Sequence, residues 1–322
     1  MCADCVLGVD LGGTKMALAA VDADGRMAFS IEVPSPSGSE KAMVSTLVEL
    51  IKSGHAKAAD EGHQALAVGL GAAGFIQYEE GLLLESPNIS WEMVPLVSII
   101  TRALDLPTFL DNDANCATLG ELYYGVAQGA RDFVLLTLGT GIGGGICAGG
   151  RIYRGSRGTA GEIGHCIVDP NGPMCECGRR GCLEAMGSGT ALVREAERLL
   201  RENPASLLNG MRGPEGRLNG ESVSEAAELG DETALAAFDT VSRYLGIGIA
   251  NVIALFDPEL VVLGGGVSHS GHLLLDDVRA TVAQNGIRSL VKDARIELST
   301  LGNDAGLLGA AALAWEGTGP RP

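Results

Sequence analysis

One histidine and three cysteines stand at the spacing of a closed metal site. His165 is followed by Cys175, Cys177 and Cys182 within residues 159–184, TAGEIGHCIVDPNGPMCECGRRGCLE. Three thiolates and one imidazole satisfy a tetrahedral Zn²⁺ with no open position, so such a site is structural rather than catalytic. The tight Cys-Glu-Cys-Gly-Arg-Arg-Gly-Cys order is far more specific than a lone pair of cysteines, and Gly178 and Gly181 let the backbone turn between ligands. Glu162 and His165 lie at one end of the loop fixed in this way and Glu184 at the other. Two carboxylates and an imidazole are then held toward a polar ligand.

Three further stretches suit an anion. Asp10-Leu-Gly-Gly-Thr14 joins two apolar runs, so its glycines let backbone N–H groups approach a phosphate while Thr14 adds a hydroxyl. Asp10, at the strand end, is placed to hold a metal-bound water. Leu138-Gly-Thr140-Gly141 and Gly264-Gly265-Gly266 repeat the arrangement after later apolar runs. Any one of them is equally a plain turn; three at strand ends in one acidic chain favour a nucleotide polyphosphate. Leu110-Asp-Asn-Asp-Ala-Asn115 is of another kind, because it puts Asn112 and Asp113 at the carboxyl end of a strand, where α/β folds bind ligands. An aspartate there can take the proton from an attacking alcohol. Asp111 and Asp113 suit equally well the N-cap of a helix that starts near Asn115.

The elements that must hold these residues alternate along the chain. Residues 6–10, 16–21 and 27–33 read as strands, with an Asp24-Gly25 hairpin signal before the third. Helical spacing runs over 40–59 through Met43, Leu47, Leu50 and Ile51. A buried strand follows at 65–71, then a hairpin through Glu80-Gly81, the Ser86-Pro-Asn88 loop with Trp91, a helix over 95–104 and a strand at 108–110. After a helix near 115–124 the opening theme returns: strand 133–138, glycine turn 139–145, strand 146–148, then 151–153. This repeat predicts a pseudo-duplicated architecture. Beyond it come helices at 189–201, 222–227, 232–256, 273–284 and 305–315, strands at 260–263 and 294–298, and a Gly/Asn/Pro-rich loop over 204–221.

A chain of 322 residues has room for about two domains. Its 46% hydrophobic content, 47 glycines and 4% aromatics place it among soluble α/β proteins with many tight turns, not among disordered or fibrous chains. A net charge of -17 argues against a basic face for nucleic acid or an anionic membrane. Any phosphate must therefore be held by local backbone groups. The longest apolar stretch, 245–256, carries Asn251 and two glycines and falls short of the roughly 18 residues of a membrane span. The start, MCADCVLGVDLGG, has neither a basic leader nor an apolar core, so the mature chain is expected to begin there, in a reducing cytoplasm. Cys2 and Cys5 form a CxxC with no helix behind it, and a redox role is not expected.

Together, Asp10-Leu-Gly-Gly-Thr-Lys15, Asp111-Asn-Asp-Ala-Asn115, Leu138-Gly-Thr-Gly-Ile-Gly-Gly-Gly145, Glu162-Ile-Gly-His165 and Cys175-Glu-Cys-Gly-Arg-Arg-Gly-Cys-Leu-Glu184 resemble the ROK family of sugar kinases and sugar-responsive repressors. The resemblance runs from the first strand to the last helix. It is greatest to the ATP-dependent glucokinases of Gram-positive actinobacteria, which share the Ser86-Pro-Asn88 loop and the Gly264-Gly265-Gly266-Val267 turn. It implies an α/β fold of two actin-like, ribonuclease H-like domains closing on a cleft, with 1–112 plus 303–322 as the small domain and 113–302 as the large, zinc-bearing one. The implied reaction is phosphorylation of the D-glucose 6-hydroxyl by ATP with Mg²⁺. Asp113 is then the general base, and Asn112, Glu162, His165 and Glu184, with Gly74 and Asn88, are sugar ligands. His165 would bind zinc through one ring nitrogen and sugar through the other. Gly12, Gly13, Thr14, Lys15, Thr140 and Gly141 map to the phosphate loops, Gly265 and Gly266 to the adenosine side, and Asp10 lies near Mg²⁺. A kinase for N-acetylmannosamine, fructose or allose is the alternative. The repressors of the family carry a helix-turn-helix ahead of the first strand, at which this chain is expected to begin. Family habit implies a cytoplasmic homodimer or homotetramer that serves glycolysis, with small-molecule partners and no nucleic acid or membrane.

Overall fold

A computed structural model describes residues 3–36, 39–86, 91–213 and 215–319. The chain divides into two compact units, residues 1–130, 145–161 and 303–322 forming unit 1 and residues 131–144 and 162–302 forming unit 2.

In unit 1, β1 (Ala3–Leu11), β2 (Lys15–Val21) and β3 (Met27–Pro34) make the antiparallel meander that the alternating runs predict. Helix α1 (Glu40–Asp60), capped by the Ser39 hydroxyl accepting from the Ala42 N–H, leads to β4 (His63–Ala72), which lies parallel to β1. The last six residues of β4 are all buried, the pattern of a strand covered on both faces. The expected Glu80-Gly81 hairpin belongs to a small antiparallel sheet of β5 (Phe75–Gln77), β6 (Leu82–Ser86) and β7 (Trp91–Val94). Helix α2 (Leu96–Leu104) then precedes β8 (Thr108–Asn112), parallel to β4, which completes the order β3-β2-β1-β4-β8. Its register pairs Asp10 with Gly71 and Gly71 with Asp111, so the carboxyl ends of three parallel strands stand level. Helix α3 (Asp113–Tyr124) starts at once, two residues ahead of the expected Asn115.

The second meander is β9 (Phe133–Leu138), β10 (Ile142–Ala148) and β11 (Arg151–Ile152). The glycine run 143–145, expected as part of a turn, is strand. Gly145 has a packing reason to lack a side chain: the Ala114 carbonyl oxygen lies 2.9 Å from where its Cβ would stand. Helices α4 (Leu183–Gly187), α5 (Gly189–Leu200), α6 (Gly220–Glu228) and α7 (Glu232–Phe256) follow. The Gly/Asn/Pro-rich loop ends in a capping box of Asn219 and Ser222, which starts α6. Strand β12 (Leu260–Gly264), helices α8 (Leu275–Asn285) and α9 (Arg288–Val291), and β13 (Arg295–Leu298) complete unit 2. With β12 parallel to both β9 and β13, the second sheet reads β11-β10-β9-β12-β13, the same order as the first. The repeat in the sequence is therefore a repeat of topology. Among the described residues no helix is long and apolar enough to cross a membrane.

Helix α10 (Ala305–Gly317) returns to unit 1, and every residue from Leu307 to Trp315 is buried. A helix apolar on all sides must be enclosed, and α10 packs on α3, β1 and β4. Gly8 permits part of that approach, since a Cβ there would lie 2.9 Å from the Ala311 backbone nitrogen. Cys116 and Leu119 of α3 share a buried cluster with Ala310, Ala312 and Leu313 of α10. That packing goes with α3 lying in unit 1, which runs to Ala130 and also takes in 145–161.

Candidate functional site

In unit 1 the strand register gathers Asp10, Asn112 and Asp113 at the carboxyl end of the sheet. Asn112 is the N-cap of α3: its Oδ1 accepts from the N–H groups of Ala114 at 2.9 Å and Asn115 at 3.2 Å, and its Nδ2 donates to the Gly74 carbonyl at 3.1 Å. The cap is therefore Asn112, where Asp111 or Asp113 was the expected alternative. The cap fixes the turn, and the turn presents Asp113 as the first helical residue. The Asp113 side chain reaches solvent, yet surrounding protein removes enough hydration to raise its pKa, against the opposing pull of the Ala114 N–H and of Asn112. Burial, then the charge of Asp113, pushes Asp10 up to about 6, with Lys15 pulling slightly the other way.

This shift has a definite sign for stability. Folded Asp10 keeps a proton that the unfolded chain releases near pH 4, so its contribution is full below that pH and is lost as pH rises through about 6. Asp10→Asn is expected to stabilise the ligand-free protein at pH 8 by roughly 1–3 kcal/mol and to change little at pH 4. Urea titrations at the two pH values check this; equal effects at both would remove burial of the charge as the cause.

The turn after β1 is braced by Ser35, whose N–H donates to the Thr14 carbonyl at 2.9 Å and whose hydroxyl donates to the Gly12 carbonyl at 2.7 Å. Gly12 donates to the Lys15 carbonyl at 3.1 Å, and Gly13 and Thr14 are exposed. The Lys15 ammonium is drawn to Glu32 Oε2 at 2.6 Å across β2 and β3, rather than into the turn.

In unit 2 the turn after β9 is held from α4 and α5. Gly189 N–H donates to the Gly139 carbonyl at 2.8 Å, the Thr190 hydroxyl to the Thr140 carbonyl at 2.8 Å, and the Ile142 N–H to Glu184 Oε2 at 3.0 Å. Thr140 is exposed and Gly141 half-buried. Gly265, at φ 82°, and Gly266 follow directly on β12.

The cysteine loop of unit 2 folds back on itself through Val168 N–H to the Gly181 carbonyl at 2.8 Å, Cys175 N–H to the Arg179 carbonyl at 2.8 Å and Leu183 N–H to the Cys166 carbonyl at 2.8 Å. Gly178 and Gly181 take φ 83° and 68°, the turns expected of them. His165, Cys175, Cys177 and Cys182 each offer a donor atom within 4.8 Å of the others. Cys175 Sγ lies 3.6 Å from His165 Nδ1, and Cys177 Sγ lies 3.5 Å from Cys182 Sγ. Donors placed tetrahedrally about Zn²⁺ at its usual bond lengths stand about 3.5–3.8 Å apart, so this donor set fits that ion. His165 divides its nitrogens: Nδ1 faces the sulfurs, and Nε2 lies 3.8 Å from Glu162 Oε2. Glu184 Oε1 is 4.0 Å from His165 Nδ1, so Glu162, His165 and Glu184 are neighbours.

Asn88 lies outside the described residues. Arg154 was absent from the sequence-based candidates, although it pairs with buried Asp111 at 2.7 Å. Ser35 and Thr190 were absent too. A pairing between residues 43 apart leaves no local spacing to read, and a serine or threonine that braces a turn looks like any other polar residue.

The chain matches the ROK family model over residues 6–316. It is similar to the glucokinase of Streptomyces coelicolor, 38% identical over 317 residues, with 96% of this chain and 97% of that protein covered. The glucokinase of Halalkalibacterium halodurans is 38% identical over 312 residues, covering 95% and 94%. Among solved structures it is similar to a ROK family glucokinase from Streptomyces griseus in complex with glucose and AMPPNP, with a TM-score of 0.85, 38% identity, and 97% of this chain and 99% of that one covered.

Proposed function

The chain belongs to the ROK family, and from that premise we propose that it is an ATP-dependent glucokinase, which transfers a phosphoryl group from ATP to the 6-hydroxyl of D-glucose. The observation that carries this is the near-full-length likeness, at 38% identity, to a glucokinase solved with glucose and AMPPNP. The chemistry of unit 1 supports it. Asp113 takes the proton of the attacking hydroxyl, and its raised pKa brings it closer to neutrality, where a base transfers protons most effectively. Phosphoryl transfer asks otherwise for alignment and for charge neutralisation on the phosphates.

In this proposal the backbone of Gly12, Gly13 and Thr14 and that of Thr140 and Gly141 donate to phosphate oxygens, and Gly265 with Gly266 lies on the adenosine side. Lys15 reaches a phosphate only by leaving Glu32, and an exposed pair of this kind gives up about 0–1 kcal/mol. Bound Mg²⁺ neutralises phosphate charge. Asp10 and Asp113, each raised in pKa and repelling the other, suit a neighbouring cation, and Asp10 would hold its water shell. Asn112, Glu162, His165 and Glu184, with Gly74 and Asn88, take the sugar hydroxyls. His165, Cys175, Cys177 and Cys182 would hold a structural Zn²⁺, their donor atoms lying within 4.8 Å of one another.

The test is ADP release by the zinc-loaded protein with Mg·ATP and glucose, N-acetylmannosamine, fructose or allose offered separately. Turnover on glucose well above the others is expected. Preference for another hexose overturns the substrate, and no sugar-dependent ADP with any of them overturns the kinase.

A further inference from the structure

The Asp111 carboxylate is 1% exposed, and both of its oxygens are engaged. Oδ1 accepts from the Asn112 N–H at 2.8 Å and from the Asn115 amide at 2.9 Å; Oδ2 accepts from Arg154 Nε at 2.8 Å and Nη2 at 2.7 Å. The guanidinium lies 3.8 Å over the Tyr78 ring, and the Arg154 carbonyl accepts from the Ala160 N–H at 3.0 Å. Arg154 therefore joins three segments of unit 1: the β8–α3 turn that carries Asn112 and Asp113, the short turn at Tyr78 after β5, and the loop 154–160 whose chain runs on to Glu162. A carboxylate this deeply buried persists as an ion only while a charged partner accompanies it. Fork geometry and stacking on an aromatic face are properties of arginine that lysine lacks.

We infer that Arg154 is a positioning residue for the transfer: it holds Asp111, and Asp111 holds the turn that aims Asp113. It acts in this way only if Asp113 is the base, as proposed above. Without the guanidinium, the buried Asp111 carboxylate loses its charged partner two residues from Asp113, and the turn that it holds is free to move. The titratable groups that bear on Asp113 in unit 1 are Asp10 on β1 and Cys116 on α3, with Asp111 two residues before it on β8. An uncompensated charge on Asp111 adds to that acidic surrounding and makes the Asp113 proton harder to remove.

Arg154→Met keeps the length of the stem and removes the charge. In the zinc-loaded enzyme it is expected to lower kcat by about 10²-fold, the size associated with misplacement by an ångström. The change in KM for glucose should be smaller, and the acid limb of the kcat–pH profile should move to higher pH. Arg154→Lys should recover only part of the loss. The double variant Asp111→Asn/Arg154→Met is the decisive one, since it removes the orphaned charge: kcat should rise about tenfold above the single Arg154 variant, the non-additivity of groups in contact, and the acid limb should return to its wild-type place. Melting curves establish that each protein is folded. A folded Arg154→Met enzyme with kcat within about threefold of wild type and an unmoved limb overturns the inference, as does a double variant whose losses simply multiply. If the wild type releases no ADP with any sugar, the kinase proposal fails separately. The crystal structure of the Arg154→Met protein then decides, a displaced turn at 112–114 supporting the latch and an unmoved turn overturning it.

Discussion

Asp113→Asn is expected to lower kcat by roughly 10²–10⁴-fold and to leave glucose affinity within a few fold. Asparagine has the shape of aspartate, and its oxygen can still accept from the Ala114 N–H that now lies 2.9 Å from Asp113 Oδ1. Asn112 keeps its bonds to Ala114, Asn115 and Gly74, so the turn stays capped. What disappears is the capacity to take a proton. The substitution also removes the charge that, after burial, does most to raise Asp10 toward 6. Asp10 then ionises more easily in the folded state, and less stability is lost as pH rises through that value. The variant should thus be nearly inactive and more stable than wild type at pH 8, a pairing that a merely structural aspartate would not give, because its loss would lower both. In the wild type, kcat should fall toward acid pH as the Asp10 and Asp113 pair takes up protons, with apparent constants that belong to the pair. Steady-state rates, glucose titration calorimetry and melting at pH 8 check the set. Turnover within about tenfold of wild type would sink the assignment of the base.

What could be read from the sequence was what depends on local spacing. The two meanders, the strands closing on glycine turns and the cysteine loop are each written within a few residues, and the structure has them close to where spacing put them. The cap was expected of Asp111 or Asp113 and falls on Asn112 between them, which leaves Asp113 as the first helical residue at the strand end. The errors share a cause in packing over long separations. The glycine run 143–145 looked like a turn, whereas Gly145 is needed in a strand because α3 lies against it. The apolar surface of α3, just past the strand that ends at 112, is buried against α10, almost two hundred residues later in the chain. Arg154 and Asp111 belong to the same class: nothing near either residue announces the other, and only the fold brings a lone arginine onto a buried carboxylate.

Cys177→Ser should lose the metal and, unlike the Asp113 variant, weaken ligand binding more than it slows the chemistry. Burial alone would push the Cys177 thiol up, but the Arg179 N–H and side chain, with Cys175 and Cys182, outweigh it and hold it at about 6. Burial pushes Cys175 up to about 12 and also raises Cys182. The metal-free loop therefore shares its protons among three coupled thiols, of which Cys177 is the most acidic, and Zn²⁺ must displace the protons that remain. Calorimetric titration of Zn²⁺ in buffers of different ionisation enthalpy should show protons released on binding, and affinity for the ion should fall as pH is lowered. Serine at 177 removes one of the four donors and the most acidic of the thiols, and the apparent zinc affinity is expected to drop by at least about 10²-fold, beyond what disturbing outer partners of a metal site costs. Two sets of groups then lose their anchor. His165 no longer has Nδ1 fixed against the sulfurs, so its Nε2 edge and Glu162 lose their aim. Helix α4 begins directly after Cys182 and carries Glu184, which holds the Ile142 N–H just past the turn 139–141. Loosening that helix should therefore raise KM for ATP as well as for glucose, each by about tenfold or more, while an enzyme saturated with both retains most of its kcat, since Asp113 stands on unit 1. A rise for glucose alone would confine the metal's influence to His165 and Glu162 and remove Glu184 from the path to the nucleotide turn; unchanged constants for both in the zinc-free protein would show that hydrogen bonds such as Val168 to Gly181 hold the loop without the ion.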